Sequence, residues 1–320
     1  MRLPIDPLLP EIAAALRATN RVVLRAAPGA GKTTRVPGAL LDAGLAGDKQ
    51  VVVLEPRRIA ARAAAEFVAA ARGGTVGGEV GYRVRFEQRG GAATRLWFLT
   101  EGVLGRQLTR DPFLEQVGVL VLDEFHERHL HGDVALALAR ELQATVRPDL
   151  KLVVMSATLE TDALATYLPG CAVLTSEGRA YPVAIEHAAA ADDRPLAGRI
   201  VAALRQVLAD GDDTGDVLVF LPGAAEIRRA VQAIEPLAAA HRLLVLPLHG
   251  DLPLDAQQRV LRRAAQRKVV LATNVAETSL TIDGVTAVID SGLARIARFD
   301  PRHGVNGLRL AAISRAAAEQ

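Results

Sequence analysis

Short, continuously apolar runs rich in β-branched residues recur along the chain, each followed by a stretch with helical spacing. In the first half they are Arg21–Ala26, Val51–Leu54, Leu96–Leu99, Val117–Leu122, Leu152–Met155 and Val173–Thr175. In the second half they are Val217–Leu221, Leu243–Pro247, Val269–Ala272 and Val285–Asp290. Strands without polar alternation are buried on both faces, which requires parallel sheets covered by helices. Helical segments such as Arg58–Arg72 and Asp133–Thr145 lie between them. The rhythm breaks between Ser176 and Pro195 and then restarts, so a boundary is expected near residue 180. The reading is α/β, with one domain over 1–179 and a second over 180–320, each a mostly parallel sheet with helices on both faces.

Composition narrows the function classes. Half of the 320 residues are hydrophobic and 23% are charged, a globular composition. The 38 basic residues nearly balance the 36 acidic ones, so no global field announces nucleic acid, and any basic surface must be local. Cys171 is the only cysteine, which excludes an intrachain disulfide and a cysteine-based zinc site and fits a reducing, cytoplasmic setting. No apolar run approaches the roughly 18 residues of a membrane span, and residues 1–10 read as neither a signal nor a transit peptide.

The first strand runs directly into Ala26-Ala-Pro-Gly-Ala-Gly-Lys-Thr33, followed by Thr34. Gly29, Ala30 and Gly31 let the backbone curl so that successive amides face inward, beside the N-terminus of the next helix. Lys32 is placed to reach the β- and γ-phosphates, and the Thr33 hydroxyl to ligate Mg²⁺. The strict pattern begins with glycine; Ala26 replaces it without altering the later glycines on which the cradle depends.

Val117–Leu122 ends in Asp123-Glu124-Phe125-His126. Carboxylates at the end of a buried parallel strand stand at the sheet edge where ligands bind. Asp123 is placed to hold Mg²⁺ and Glu124 to orient and deprotonate an attacking water. An Asp-Glu pair after a strand is also a common helix N-cap. His126 is better explained as a polar relay toward the next strand than as a metal ligand. His129 and His131 read as solvated loop residues.

Together with Ser156-Ala157-Thr158, these segments resemble the DEAH-box group of superfamily 2 helicases, in its bacterial branch. Further matches are Glu55-Pro-Arg-Arg58, Gly81–Phe86, Thr100–Leu104, Ser176–Arg179, Val219–Gly223, Leu248–Gly250 and Ala272–Gly284. They are ordered and spaced as in that family over almost the whole chain. The resemblance implies two tandem RecA-like domains forming an ATP- and Mg²⁺-dependent RNA helicase or translocase, with RNA favoured over DNA as the single strand bound.

Residue by residue, the resemblance makes Gly29, Gly31, Lys32, Thr33 and Thr34 the nucleotide loop, and Asp123 and Glu124 the metal-holding and water-activating pair. His126 would link this pair to the second domain, and Ser156 and Thr158 would couple hydrolysis to strand movement. Arg57, Thr100, Thr273 and Asn274 would contact nucleic acid. Ser279 and Thr281 would face the γ-phosphate, and Asp283 would hold the ribose. Read without the resemblance, Arg57 and Arg58 are a solvated helix start, and Thr273 a capping hydroxyl.

Phe67, where relatives carry an arginine against the adenine, is read as core rather than as a stacking residue. Residues 294–312 resemble the family's strand-separating hairpin. Gln320 matches the first residue of the arginine-finger box. The resemblance therefore implies a motor portion of a longer protein with further C-terminal domains, monomeric, binding Mg·ATP but hydrolysing it poorly. Two alternatives stand beside it: a non-catalytic, nucleotide-dependent nucleic-acid-binding fragment, and a P-loop NTPase acting on another substrate.

Overall fold

The computed structural model describes residues 2–157, 161–177, 182–188, 192–209, 214–277 and 282–319. The chain divides into two compact units, Met1–Pro182 and Val183–Gln320.

The first unit is built on an eight-stranded sheet. Its strands are β1 (Arg21–Ala26), β2 (Gln50–Glu55), β3 (Val80–Val84), β4 (Glu87–Arg89), β5 (Leu96–Thr100), β6 (Val117–Leu122), β7 (Lys151–Ser156) and β8 (Ala172–Ser176). The spatial order is β4-β3-β5-β2-β6-β7-β1-β8. Every pairing is parallel except that of the β3–β4 hairpin.

The uninterrupted apolar runs have the consequence expected of them: successive residues feed opposite cores. Val22, Leu24, Val51, Val53, Val119 and Val121 pack under helices Leu9–Thr19, Lys32–Asp42 and Arg58–Ala71. Val23, Val52, Leu54, Leu120 and Leu122 pack under Glu101–Leu108, Leu130–Thr145 and Thr161–Tyr167. The helix Arg58–Ala71 buries Ala60, Ala61, Ala64, Ala65, Val68 and Ala69. That stripe turns Phe67 outward, and its 56% exposure corrects its assignment to the core.

The second unit carries a four-stranded parallel sheet in the order β10-β11-β9-β12. Its strands are β9 (Asp216–Phe220), β10 (Leu244–Leu248), β11 (Lys268–Ala272) and β12 (Val285–Asp290). Helices Leu196–Ala209 and Ala224–His241 cover one face through Ile200, Leu204, Ile227, Ala230 and Ile234. Leu218 and Val270, alternating to the other face, are buried as well. An antiparallel hairpin follows, β13 (Leu293–Asp300) with β14 (Val305–Ala312), where residues 294–312 were expected to form one. Among the described residues no helix is long and apolar enough to cross a membrane.

Candidate nucleotide and nucleic-acid site

The five adjacent strands β5, β2, β6, β7 and β1 end in Thr100, Glu55, Leu122, Ser156 and Ala26. Because they are parallel, everything that follows these ends gathers at one edge of the sheet. The polar residues singled out in the first half of the sequence arrive there by topology alone.

At the end of β1, Gly29 and Gly31 have φ of 75° and 94°, a region in which a side chain would be strained. Gly31 is the N-cap of the helix Lys32–Asp42, which has no side-chain cap. Its first-turn amides are therefore a site for anionic oxygens. Lys32 is buried, with Nζ 2.9 Å from Glu124 Oε1. The Thr33 hydroxyl donates a hydrogen bond to Asp123 Oδ2, and Thr34 Oγ1 donates to the carbonyl of Gly31 at 3.2 Å.

Asp123 and Glu124 are 3% and 5% exposed. Asp123 Oδ1 accepts the amide hydrogen of Glu124 at 2.8 Å. Glu124 itself has φ 48° and ψ 35°, a left-handed conformation uncommon for a non-glycine residue. Burial first, and then the charge of Asp123, push its carboxyl up to about 7 against the opposing pull of Lys32. Burial would lower Lys32, but Glu124 and Asp123 outweigh it and raise the ammonium.

His126 is lowered, mainly by burial and then by Lys32, so it is neutral near pH 7. Its Nδ1 accepts the amide hydrogen of Ala157 at 3.2 Å, which assigns the ring proton to Nε2. Nε2 lies 3.4 Å from Glu124 Oε2. His126 thus joins the acidic box to the segment after β7, where Ser156 is buried. Thr158 lies outside the described residues.

Arg57 is the N-cap of the helix Arg58–Ala71 and pairs with Glu127 Oε2 at 2.9 Å. Thr100 occupies the N-cap position of the helix Glu101–Leu108, without a side-chain cap hydrogen bond, and stands beside Glu55 in the β5–β2 register, with 9% exposure. His129 is a loop residue with its side chain 41% exposed, as expected, but it has carboxylate neighbours the sequence did not show. It lies between Glu101 and Glu127, at 3.7 and 3.5 Å, and the Glu101 hydrogen bond raises it. His131 is exposed within the helix Leu130–Thr145.

Two residues to which the sequence reading gave no role belong to this edge. Glu127 ties Arg57 and His129 to the acidic box. Glu55, at the end of β2, is fully buried, and neither carboxylate oxygen has a hydrogen-bond partner among the described residues. The sequence signals were its place at the head of the matched segment Glu55-Pro-Arg-Arg58 and a charged residue terminating an otherwise apolar run, Val51-Val-Val-Leu-Glu55.

In the second unit, Thr273 follows β11 and donates its amide to the carbonyl of Leu248 at 3.1 Å, with Asn274 exposed beside it. Asp283 is an exposed carboxylate 3.7 Å from Arg263. Ser279 and Thr281 lie outside the described residues.

The donor set fits a magnesium ion: a hydroxyl and a carboxylate held in contact, both hard oxygen ligands. The buried acids Asp123, Glu124 and Glu55 also face a single buried cation, Lys32. A divalent cation would offset that excess.

Comparison with known proteins agrees with this geometry. The DEAD/DEAH box helicase family matches residues 10–166, and the helicase conserved C-terminal domain matches residues 199–304. The chain belongs to the DEAD/DEAH box helicases. It is 43% identical over 99% of its length to the ATP-dependent RNA helicase HrpB of Escherichia coli, covering 39% of that protein. It is 38% identical to the human probable ATP-dependent RNA helicase DHX34, covering 28% of it. A crystal structure of the E. coli DEAH/RHA helicase HrpB superposes with a TM-score of 0.87 at 42% identity, over 99% of this chain and 40% of that one. The two α/β units are thus RecA-like domains of a DEAD/DEAH box helicase, and the chain spans less than half the length of these relatives.

Proposed function

We propose that this chain is the ATP-driven motor core of a nucleic-acid helicase or translocase, acting on single-stranded RNA in preference to DNA. The observation that carries the reading is the convergence of Lys32, Thr33, Asp123 and Glu124 beside an uncapped helix N-terminus at one sheet edge. The preference for RNA rests on the names of the relatives.

Gly29 to Gly31 and the helix amides hold the phosphates, with Lys32 as cation and Thr34 closing the loop. Thr33 and Asp123 would hold Mg²⁺, which when bound neutralises charge on the β- and γ-phosphate oxygens. A phosphate that takes Lys32 from Glu124 leaves that carboxylate free to accept a proton from the attacking water. Neutral His126, bound to the Ala157 amide, orients the other carboxylate oxygen and carries the change toward Ser156 and Thr158. Ser279, Thr281 and Asp283 contribute to the nucleotide from the second domain. Arg57, Thr100, Thr273 and Asn274 follow phosphates and hydroxyls of the strand without reading bases.

ATP turnover measured with and without single-stranded RNA tests this. Stimulation by RNA, steeply weakened by salt, is expected. Turnover indifferent to RNA and DNA would favour an NTPase with another substrate.

A further inference from the structure

Glu55 is a buried acid with both carboxylate oxygens unpartnered. Its carboxyl is fully buried at the end of β2, and neither oxygen has a hydrogen-bond partner among the described residues. A buried carboxyl without partners costs on the order of several kcal/mol unless something compensates it. Nothing in its own strand requires it: Val51 to Leu54, the preceding residues, are apolar and packed.

Its surroundings indicate what compensates it. β2 lies beside β6, and the Asp123 amide donates to the Leu54 carbonyl at 3.0 Å, so the chain enters Glu55 and Asp123 side by side. The charges that act on Glu55 most strongly are those of Asp123 and Glu124, followed by Lys32 and Glu127. Of these only Lys32 is a cation, and Glu124 already occupies it at 2.9 Å. Glu55 is therefore a third acid behind the pair, with two free acceptor oxygens and no protein donor assigned to them.

Magnesium bound at nucleotide sites keeps several of its waters, and these are strong hydrogen-bond donors. We propose that Glu55 is a positioning residue of the magnesium site, accepting hydrogen bonds from the waters of the metal that Thr33 and Asp123 hold. The role supplies what the fold leaves out, both donors for the oxygens and positive charge for the cluster. Partners of this outer kind typically contribute about 10- to 100-fold to metal affinity. The inference rests on the nucleotide-site reading above and adds a residue to it.

The test is Mg²⁺ titration of binding of a non-hydrolysable, imido-linked ATP analogue to the 320-residue chain and to Glu55→Gln. Glutamine keeps the shape of the side chain and replaces one acceptor by a donor. The expected result is a Mg²⁺ midpoint raised about 10- to 100-fold, with affinity for the analogue in EDTA retained. An unaltered midpoint overturns the proposal. Equal loss of affinity with Mg²⁺ and in EDTA also overturns it, because Glu55 would then serve the fold rather than the metal. If the parent itself binds the analogue identically with and without Mg²⁺, the reading of Thr33 and Asp123 as metal ligands fails, an outcome distinct from failure at Glu55 alone.

Discussion

The Arg57 guanidinium lies 2.9 Å from the Glu127 carboxylate, in the turn that follows the acidic box. The arginine proposed to meet nucleic acid is thereby tied to the segment that carries Glu124. A strand phosphate at Arg57 competes with Glu127 for the same donors. Arg57→Ala should weaken single-strand binding similarly for all sequences and lower the salt slope by about one. Fluorescence anisotropy with two unrelated oligonucleotides across a salt series checks it; a loss confined to one sequence would show that Arg57 reads bases.

Lys32→Ala removes the one buried cation of the phosphate cradle and strands Glu124 without its partner. Nucleotide affinity should fall by about 10- to 100-fold, the scale of a charge-assisted hydrogen bond. Glu124→Gln should bind nucleotide as the parent does yet hydrolyse it about 10²- to 10⁴-fold more slowly. Nucleotide titration and single-turnover hydrolysis separate the two; equal affinity of Lys32→Ala and the parent contradicts the cradle.

The raised carboxyl of Glu124 gives stability a defined pH dependence. Between its ordinary value of 4.5 and about 7 the folded chain holds a proton that the unfolded chain has lost. The nucleotide-free protein should therefore lose stability as pH rises through that window. Glu55, raised by burial and by Asp123, acts in the same direction. Glu124→Gln should flatten the decline, so its melting temperature relative to the parent should rise from pH 5 to pH 7. A constant difference across the window would show that Glu124 is not perturbed.

Much of this was legible in the sequence because parallel topology is so restrictive. Once Arg21–Ala26 and Val117–Leu122 are buried parallel strands, Lys32 and Asp123 must emerge at the same edge, whatever the details of packing. The β3–β4 hairpin was not legible, since Glu87-Gln-Arg89 has neither length nor apolar character. Phe67 was misassigned because alanines at 60, 61, 64, 65 and 69 carry the buried stripe of an aromatic-poor protein. The roles of Glu55 and Glu127 were not legible for another reason. Their meaning lies in what surrounds them across strands, and an acid in a motif reads in sequence as one more surface charge.

Arg147 illustrates stability that a sequence hides. Its buried guanidinium donates to the carbonyls of Phe113, Leu114 and Val117 and to Asp149. Arg147→Met should destabilise the first domain by about 3 kcal/mol, because several buried carbonyls lose their donor at once. Urea denaturation checks this, and a loss below about 0.5 kcal/mol, typical of a surface change, would contradict it.

The segment ahead of the first helix forms the outer wall of the phosphate loop. The Ile5 amide donates to the Ala30 carbonyl at 3.1 Å, and the Leu3 side chain lies against Gly31, where an added Cβ would come within 2.6 Å of it. Whatever strain the loop feels is thus passed to residues 3–5. Deuterium uptake at the Ile5 amide becomes a gauge of loop motion that needs no label on the nucleotide. A tag fused close upstream would pull on the same lever, so affinities measured with and without it are not interchangeable.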